Sequence, residues 1–332
     1  MLKHLLLIAL SSAFALILAA GLGEVVLEYR YNAWRSGFDL SGDSQKIGLP
    51  VASTNAKLLW EYRPYTSYIQ PRFRTETKTN RFGFRQSDDV KLSRLDGVAR
   101  VAFVGDSVTL GREVSFEATF PEAFAREEAS NGTAVEALNF GIDGYSTPQV
   151  AELFATRVVD FTPDIVVYSI CLNDFDFEEA SGAKVRYFSP PDSFFLDALK
   201  KIYRLAVVDD YYRYFFDLNK EIVFAEIERM RRDAERIGAE FHVAIMPVFD
   251  FEGTSFETYE PMAIHRGIVE KLEAEGIEVL DLVPEFARTG LDPKDLAQDN
   301  WHLNAQGHAV VGDALVRYFQ RNSALRTKSG DR

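Results

Sequence analysis

Three short stretches of this chain combine residue types that can do chemistry. Gly105-Asp106-Ser107 follows an apolar run and places a hydroxyl after a glycine that lets the backbone turn sharply. Asp299-Asn300-Trp301-His302 offers a carboxylate and an imidazole three residues apart. Cys171-Leu172-Asn173-Asp174 follows the most β-branched segment of the chain and carries a side-chain amide. A serine hydroxyl is a weak nucleophile until a base takes its proton, and histidine is the usual base near neutral pH. That histidine needs a carboxylate on its other ring nitrogen to hold its tautomer. An amide N–H could then stabilise an oxyanion. Each stretch also has an ordinary reading: Gly-Asp-Ser and Asn-Asp are common turn or cap sequences, and Asp299 could simply cap its own loop. The other histidines rank His302 first. His4 sits beside an apolar N-terminus, His242 falls within an expected strand, and His265 and His308 fall on expected helices.

Such groups need elements that deliver them to one place. From residue 100 onward, short apolar runs alternate with amphipathic segments. The strand candidates are Val101–Val104, Val135–Phe140, Ile165–Ile170, His242–Met246 and Ile277–Leu282. The helix candidates are residues 119–129, 147–159, 220–237, 262–275 and 305–321. Strands alternating with helices of this length imply a parallel sheet covered on both faces. Reactive groups in such sheets gather beyond the carboxyl ends of the strands. Ser107, Asn173 and the glycine-rich Asn139–Gly144 segment all fall there. The chain divides into an N-terminal apolar segment (1–25), an aromatic region expected to pack on the body (26–99), the αβ domain (100–322) and a polar tail (323–332). An aromatic insertion or lid candidate covers 175–216.

The 332 residues carry a net charge of −13, which disfavours a nucleic-acid partner. A single cysteine, Cys171, excludes an intramolecular disulfide and a thiolate metal cluster. Leu5–Gly23 contains no charge, and its 19 residues would cross most of a bilayer core about 30 Å thick. A retained anchor is favoured over a cleaved signal peptide, because the run is long and no cysteine follows for lipid attachment. The simpler topology keeps the short N-terminus inside and the large domain outside the cytoplasm. Secretion after cleavage is the alternative.

Taken together, these blocks resemble the SGNH/GDSL hydrolases. Gly105-Asp106-Ser107 resembles the family's first block, Gly144 matches the glycine of its second, and Cys171–Asp174 matches a Gly-x-Asn-Asp third block. Asp299 and His302 match its Asp-x-x-His block. The resemblance spans about residues 100–319. It implies a flavodoxin-like three-layer α/β sandwich with about five parallel strands, here preceded by a transmembrane helix. It implies a serine esterase with Ser107, His302 and Asp299 as catalytic triad and Ser107, Gly144 and Asn173 as oxyanion hole, needing no cofactor or metal. The implied partners are a small-molecule, glycan or lipid ester and, through the N-terminal helix, a membrane. Two positions depart from the pattern. Val108 stands where leucine is common, and Cys171 stands where the third block has glycine, so a positive φ there would be strained. Asn80–Arg85 also resembles a stretch preceding the catalytic domain in membrane-anchored relatives, with packing as its expected role.

Three other readings compete. An O-acyltransferase would use the same acyl-enzyme with a sugar acceptor. A phosphoryl-transfer enzyme would use Asp106, with Asp174 and Asp176 holding a metal, although the acidic cluster these two form with Glu178 and Glu179 more often reads as a solvated loop. A non-catalytic envelope scaffold or glycan-binding protein would use the aromatic regions.

Overall fold

The computed structural model describes residues 2–36, 49–70, 72–87, 90–177, 187–249 and 255–322. Pro71, Glu178, Glu179 and the tail 323–332 lie outside them. The chain forms two compact units, residues 1–48 with 183–211, and residues 49–182 with 212–332.

The second unit holds a five-stranded parallel sheet. Its strands are β5 (Ala99–Gly105), β6 (Val135–Gly141), β7 (Ile165–Ile170), β8 (Glu240–Ile245) and β9 (Glu278–Asp281), in the order β6-β5-β7-β8-β9. This is the flavodoxin-like doubly wound order. Every residue of β5 and β7 is buried, which is why both read as mainly apolar runs, broken only by Arg100 and Ser169, rather than alternating ones. Register puts Phe103 beside Asn139 on one face and Val104 beside Phe140 on the other. Phe103 packs edge-on against Phe120 and Phe124 of α3 (Phe120–Ser130), and Phe124 meets Phe319 of α9 (Ala305–Asn322). On the opposite face Phe140 packs against Phe84 and Phe161. Truncating such a buried ring to alanine costs about 3–5 kcal/mol.

Between these strands lie α2 (Ser107–Leu110), α4 (Thr147–Thr156), α6 (Tyr211–Arg236) and α7 (Met262–Ala274), and α8 (Val283–Ala287) follows β9. The expected helix 147–159 is shorter. It stops at Arg157, whose φ of −137° is not helical, and a 3₁₀ turn Val158–Phe161 follows. The helix expected from residue 220 begins at Tyr211 instead, because Phe215 and Phe216 are buried core residues and Phe216 packs on Phe175 and Phe224. Their aromatic character had made this stretch look irregular.

Ahead of the sheet, β1 (Pro50–Ala52) pairs with β2 (Trp60–Tyr62), and β3 (Ser67–Ile69) pairs with β4 (Glu76–Lys78). These small hairpins lie against the sheet's strand ends. Tyr145 Oη donates to the Trp60 carbonyl, Gln149 Nε2 to that of Leu58 at 2.9 Å, and Gln86 Nε2 to that of Asn139 at 2.8 Å. The Asn80–Arg85 stretch folds around the Asn80 side chain, which accepts from the amides of Phe82 and Phe84. Arg85 is buried, and its guanidinium donates to the carbonyls of Glu76, Leu110, Gly111 and Val114. It thereby ties the hairpin to the segment that follows α2.

In the first unit, α1 (Leu2–Arg35) is long and apolar enough to cross a membrane. It continues past the apolar run because residues 24–35 contain neither glycine nor proline. Also in this unit is α5 (Phe194–Val207).

Candidate active site

The site is assembled at three adjacent strand ends and one loop. At the end of β5, a Cβ on Gly105 would lie 2.3 Å from Thr109 Oγ1, so only glycine lets α2 turn back this closely on its strand. Gly141, ending β6, is equally confined, with a Cβ position 2.2 Å from the Leu110 amide. Asp106 is fully buried and caps α2, its Oδ1 accepting from the Val108 amide at 2.9 Å. Ser107 is the first residue of α2, and its Oγ lies 2.9 Å from His302 Nε2.

His302 comes from a closed loop. Ala297 bridges Leu303, and the Gln298 amide donates to the His302 carbonyl at 2.7 Å. Asp299 Oδ1 accepts from the amides of Trp301 (3.0 Å) and His302 (2.9 Å). The same carboxylate faces His302 Nδ1, at 2.8 Å from Oδ1 and 3.0 Å from Oδ2. Capping and imidazole orientation are therefore one arrangement and not alternatives. Burial alone would push the Asp299 carboxyl up. The hydrogen bond and charge of His302, with the two amides, outweigh it and hold Asp299 well below the usual carboxylate range. Burial would likewise push His302 down. Its bond to Asp299 and the negative charges of Glu113 and Asp299 overcome this and raise it above the ordinary histidine value.

Asn173 stands on the 3₁₀ turn after β7, its Nδ2 donating to Asp106 Oδ2 at 3.1 Å. A carboxamide has two N–H groups, so one remains for a ligand. Gly144, in the turn after β6, has a φ of +82°, which suits glycine. Cys171 is not strained: its φ of −112° and ψ of 159° are extended. Its amide donates to Asp174 Oδ2 at 2.7 Å, which fixes the turn carrying Asn173. Asp106 and Asp174 both point at backbone amides, and burial raises both carboxyls above their usual range.

Sequence reasoning missed the charged groups around this core. Glu113 Oε1 lies 3.8 Å from His302 Nε2, and the Glu113 side chain is only 1% exposed. Arg112 Nε donates to the same oxygen at 2.7 Å, and its other arm pairs with Asp143, next to Gly144. The Asp143 amide in turn donates to Tyr62 Oη at 2.9 Å. Arg72 reaches Asp299 Oδ2 at 3.5 Å from an exposed position. The adjacent opposite charges Arg112-Glu113, six residues beyond the serine, were the available signal. Their inward direction is set by the turn at Gly111, whose φ is +64°.

The remaining described histidines do other work. His265 is buried between Asp281 (3.0 Å) and Tyr259 Oη (3.1 Å), a second Asp–His pair with a phenol where a nucleophile would stand. His308 is buried, its Nδ1 accepting from the Phe120 amide at 3.2 Å, and burial pushes its pKa down to about 3. His242 meets Tyr318 Oη at 3.0 Å. A cavity of about 710 Å³ beside the β3–β4 hairpin is lined by Tyr65, Arg74 and Glu117 among others, and by none of Ser107, Asp299 or His302.

A doubly wound sheet that presents a serine, a histidine and an aspartate in hydrogen-bonded sequence at its strand ends defines a class, the α/β serine hydrolases. Residues 103–310 match the GDSL-like Lipase/Acylhydrolase family, and the chain belongs to it. It is an enzyme that acts on ester bonds. No curated protein sequence matches the chain. Solved structures similar to it include a catalytic mutant of an acetylxylan esterase from Geobacillus stearothermophilus. That match has 16% identity and a TM-score of 0.46, and covers 68% of this chain and 95% of that one. Another is a lipase/acylhydrolase from Enterococcus faecalis, with 20% identity, a TM-score of 0.43 and coverage of 68% and 96%. A GDSL-like lipase from Bacteroides thetaiotaomicron matches at 19% identity and a TM-score of 0.41, with coverage of 67% and 88%.

Proposed function

We propose that this protein is a membrane-anchored serine esterase that removes O-acyl groups, chiefly acetyl, from envelope carbohydrate or lipid, with Ser107, His302 and Asp299 as its triad. The observation that carries this reading is the unbroken chain of contacts from Ser107 Oγ through His302 to Asp299, at 2.9 and 2.8 Å. His302 Nε2 takes the Ser107 proton as Oγ attacks the ester carbonyl carbon. The Ser107 amide, in the first turn of α2 where helix N–H groups have no intrahelical partner, donates to the oxyanion with Gly144 N–H and the second N–H of Asn173. His302 then returns the proton to the departing alcohol oxygen, leaving an ester on Ser107. Water repeats the sequence and releases the acid. Asp299 holds the imidazole and offsets its charge, and the buried Glu113 adds a second negative charge on the Nε2 side. With α1 retained as an anchor, the hydrolase domain stands outside the cytoplasm.

The test is release of p-nitrophenol from acetyl, butyryl and octanoyl esters by the detergent-solubilised full chain, with and without chelator. Turnover that is fastest for acetyl, survives chelator and disappears in Ser107→Ala supports the reading. Turnover that appears only when a sugar acceptor is added would reassign the protein as an O-acyltransferase working through the same acyl-enzyme. Chelator-sensitive turnover independent of Ser107 would overturn the triad.

A further inference from the structure

We propose that α5 is an interfacial helix that lies in the surface of the same bilayer α1 crosses, so that the first unit holds the membrane by two elements. This rests on the reading of α1 as a retained anchor. In the sequence Phe194-Phe195-Leu196-Asp197-Ala198-Leu199-Lys200-Lys201-Ile202-Tyr203-Arg204-Leu205-Ala206-Val207, the charged residues fall at 197, 200, 201 and 204. At 100° per residue these occupy one narrow stripe, and everything else on the helix is apolar or aromatic. None of its 14 residues is buried. Leu196, Ile202, Tyr203 and Leu205 are 58%, 62%, 62% and 88% exposed. A soluble protein rarely leaves so continuous an apolar face in water, and a strongly amphipathic helix with a cationic stripe is the form that lies in a lipid interface.

The occupant is argued from where α5 is attached. Its N-terminus is held by Glu24, the first charged residue after the apolar run of α1. The Glu24 carboxylate accepts from Ser193 Oγ at 2.7 Å and from the amides of Phe194 and Phe195, both at 2.8 Å. Gly23, one residue earlier, lies against the Phe195 ring, where an added Cβ would be 2.8 Å from Cδ2. The start of α5 is thus pinned to the level at which α1 leaves the hydrocarbon. About two turns further along α1, Tyr31 packs on Phe194 at 4.8 Å, and one turn beyond it Trp34 packs on Tyr187 at 6.4 Å. Such ring clusters favour the headgroup level. The stripe carries Lys200, Lys201 and Arg204 against the single Asp197, which pairs with Lys201 at 3.7 Å, so its net charge is positive and suits anionic headgroups.

The experiment places single environment-sensitive fluorophores on the full chain in nanodiscs of phosphatidylethanolamine and phosphatidylglycerol. Cysteines are introduced by Ile202→Cys on the apolar face, Lys200→Cys on the stripe and Leu16→Cys in α1. The native Cys171 is buried and stays unlabelled. Lipids carrying a nitroxide near the top of the acyl chain are then added as quencher. The expected result is blue-shifted, quenched emission at 202 and 16, with emission at 200 remaining water-like. Quenching at 16 but not at 202 overturns the interfacial helix and leaves the anchor standing. Loss of quenching at both positions overturns the two together. A blue shift at 202 that depends on a second copy of the protein in the disc, and not on labelled lipid, also overturns the proposal.

Discussion

Glu113 Oε1 stands 3.8 Å from His302 Nε2, on the nitrogen that faces Ser107, while Asp299 occupies the other side of the ring. The imidazole is thus flanked by two carboxylates. Burial raises the Glu113 carboxyl, which Arg112 and His302 partly counter. Arg112 pairs with it, Asp143 lies beyond that arginine, and Arg72, the buried Arg85 and the buried Asp106 add further charges around the pair.

The first prediction follows for the pH profile. His302 must be neutral to act as base, and its pKa is raised, so kcat/KM rises with pH through a midpoint above the ordinary histidine value. Glu113→Gln removes one negative charge and keeps the shape. Its midpoint moves to lower pH, which a purely structural role for Glu113 would not produce. A pH–rate profile of the two proteins with a p-nitrophenyl ester reads this directly.

Asn173→Ala removes one oxyanion donor. The expected loss in kcat is about 10²–10³-fold with little change in KM, because the bond forms with the transition state. Full activity in this variant would remove Asn173 from the hole. Steady-state kinetics at saturating substrate decides it.

Arg85 donates to four carbonyls and stays charged at neutral pH, since burial brings it down only to about 10. Arg85→Met leaves those carbonyls without their donor and should cost about 3 kcal/mol or more of stability. The urea midpoint measures it. Among surviving folded molecules, loosening of residues 110–114 should also lower kcat, because that segment carries Glu113.

His308 is held neutral down to about pH 3, whereas an unfolded histidine takes up its proton near 6.5. Between these values the unfolded chain binds more protons, so stability falls as pH drops, by up to about 1.4 kcal/mol per unit from this residue. His308→Gln should flatten that dependence, as read by thermal unfolding from pH 6.5 downward.

The fold was legible because β5 and β7 are buried on both faces and therefore write themselves as mainly apolar runs. Ser107, Asn173 and His302 were legible because each sits at a strand end or in a loop whose residue types have few other uses together. Glu113 was not, since nothing local says that a charged residue six positions past the serine turns inward. That direction depends on the turn at Gly111 and on Arg85 pulling the 110–114 carbonyls from a distant hairpin. Nor could spacing reveal that His265 also has an aspartate, because Asp281 reaches it from another element, β9. The start of α6 was hidden for a similar reason, as Phe216 declares itself core only once Phe175 is beside it.

The central claim is that Ser107 is the nucleophile activated by His302. A fluorophosphonate ester tests it most directly, by mass spectrometry of the intact protein followed by peptide mapping. A single adduct on Ser107, abolished in Ser107→Ala and greatly slowed in His302→Ala, is the predicted result. An adduct on another residue, or ester turnover unchanged in Ser107→Ala, would contradict it.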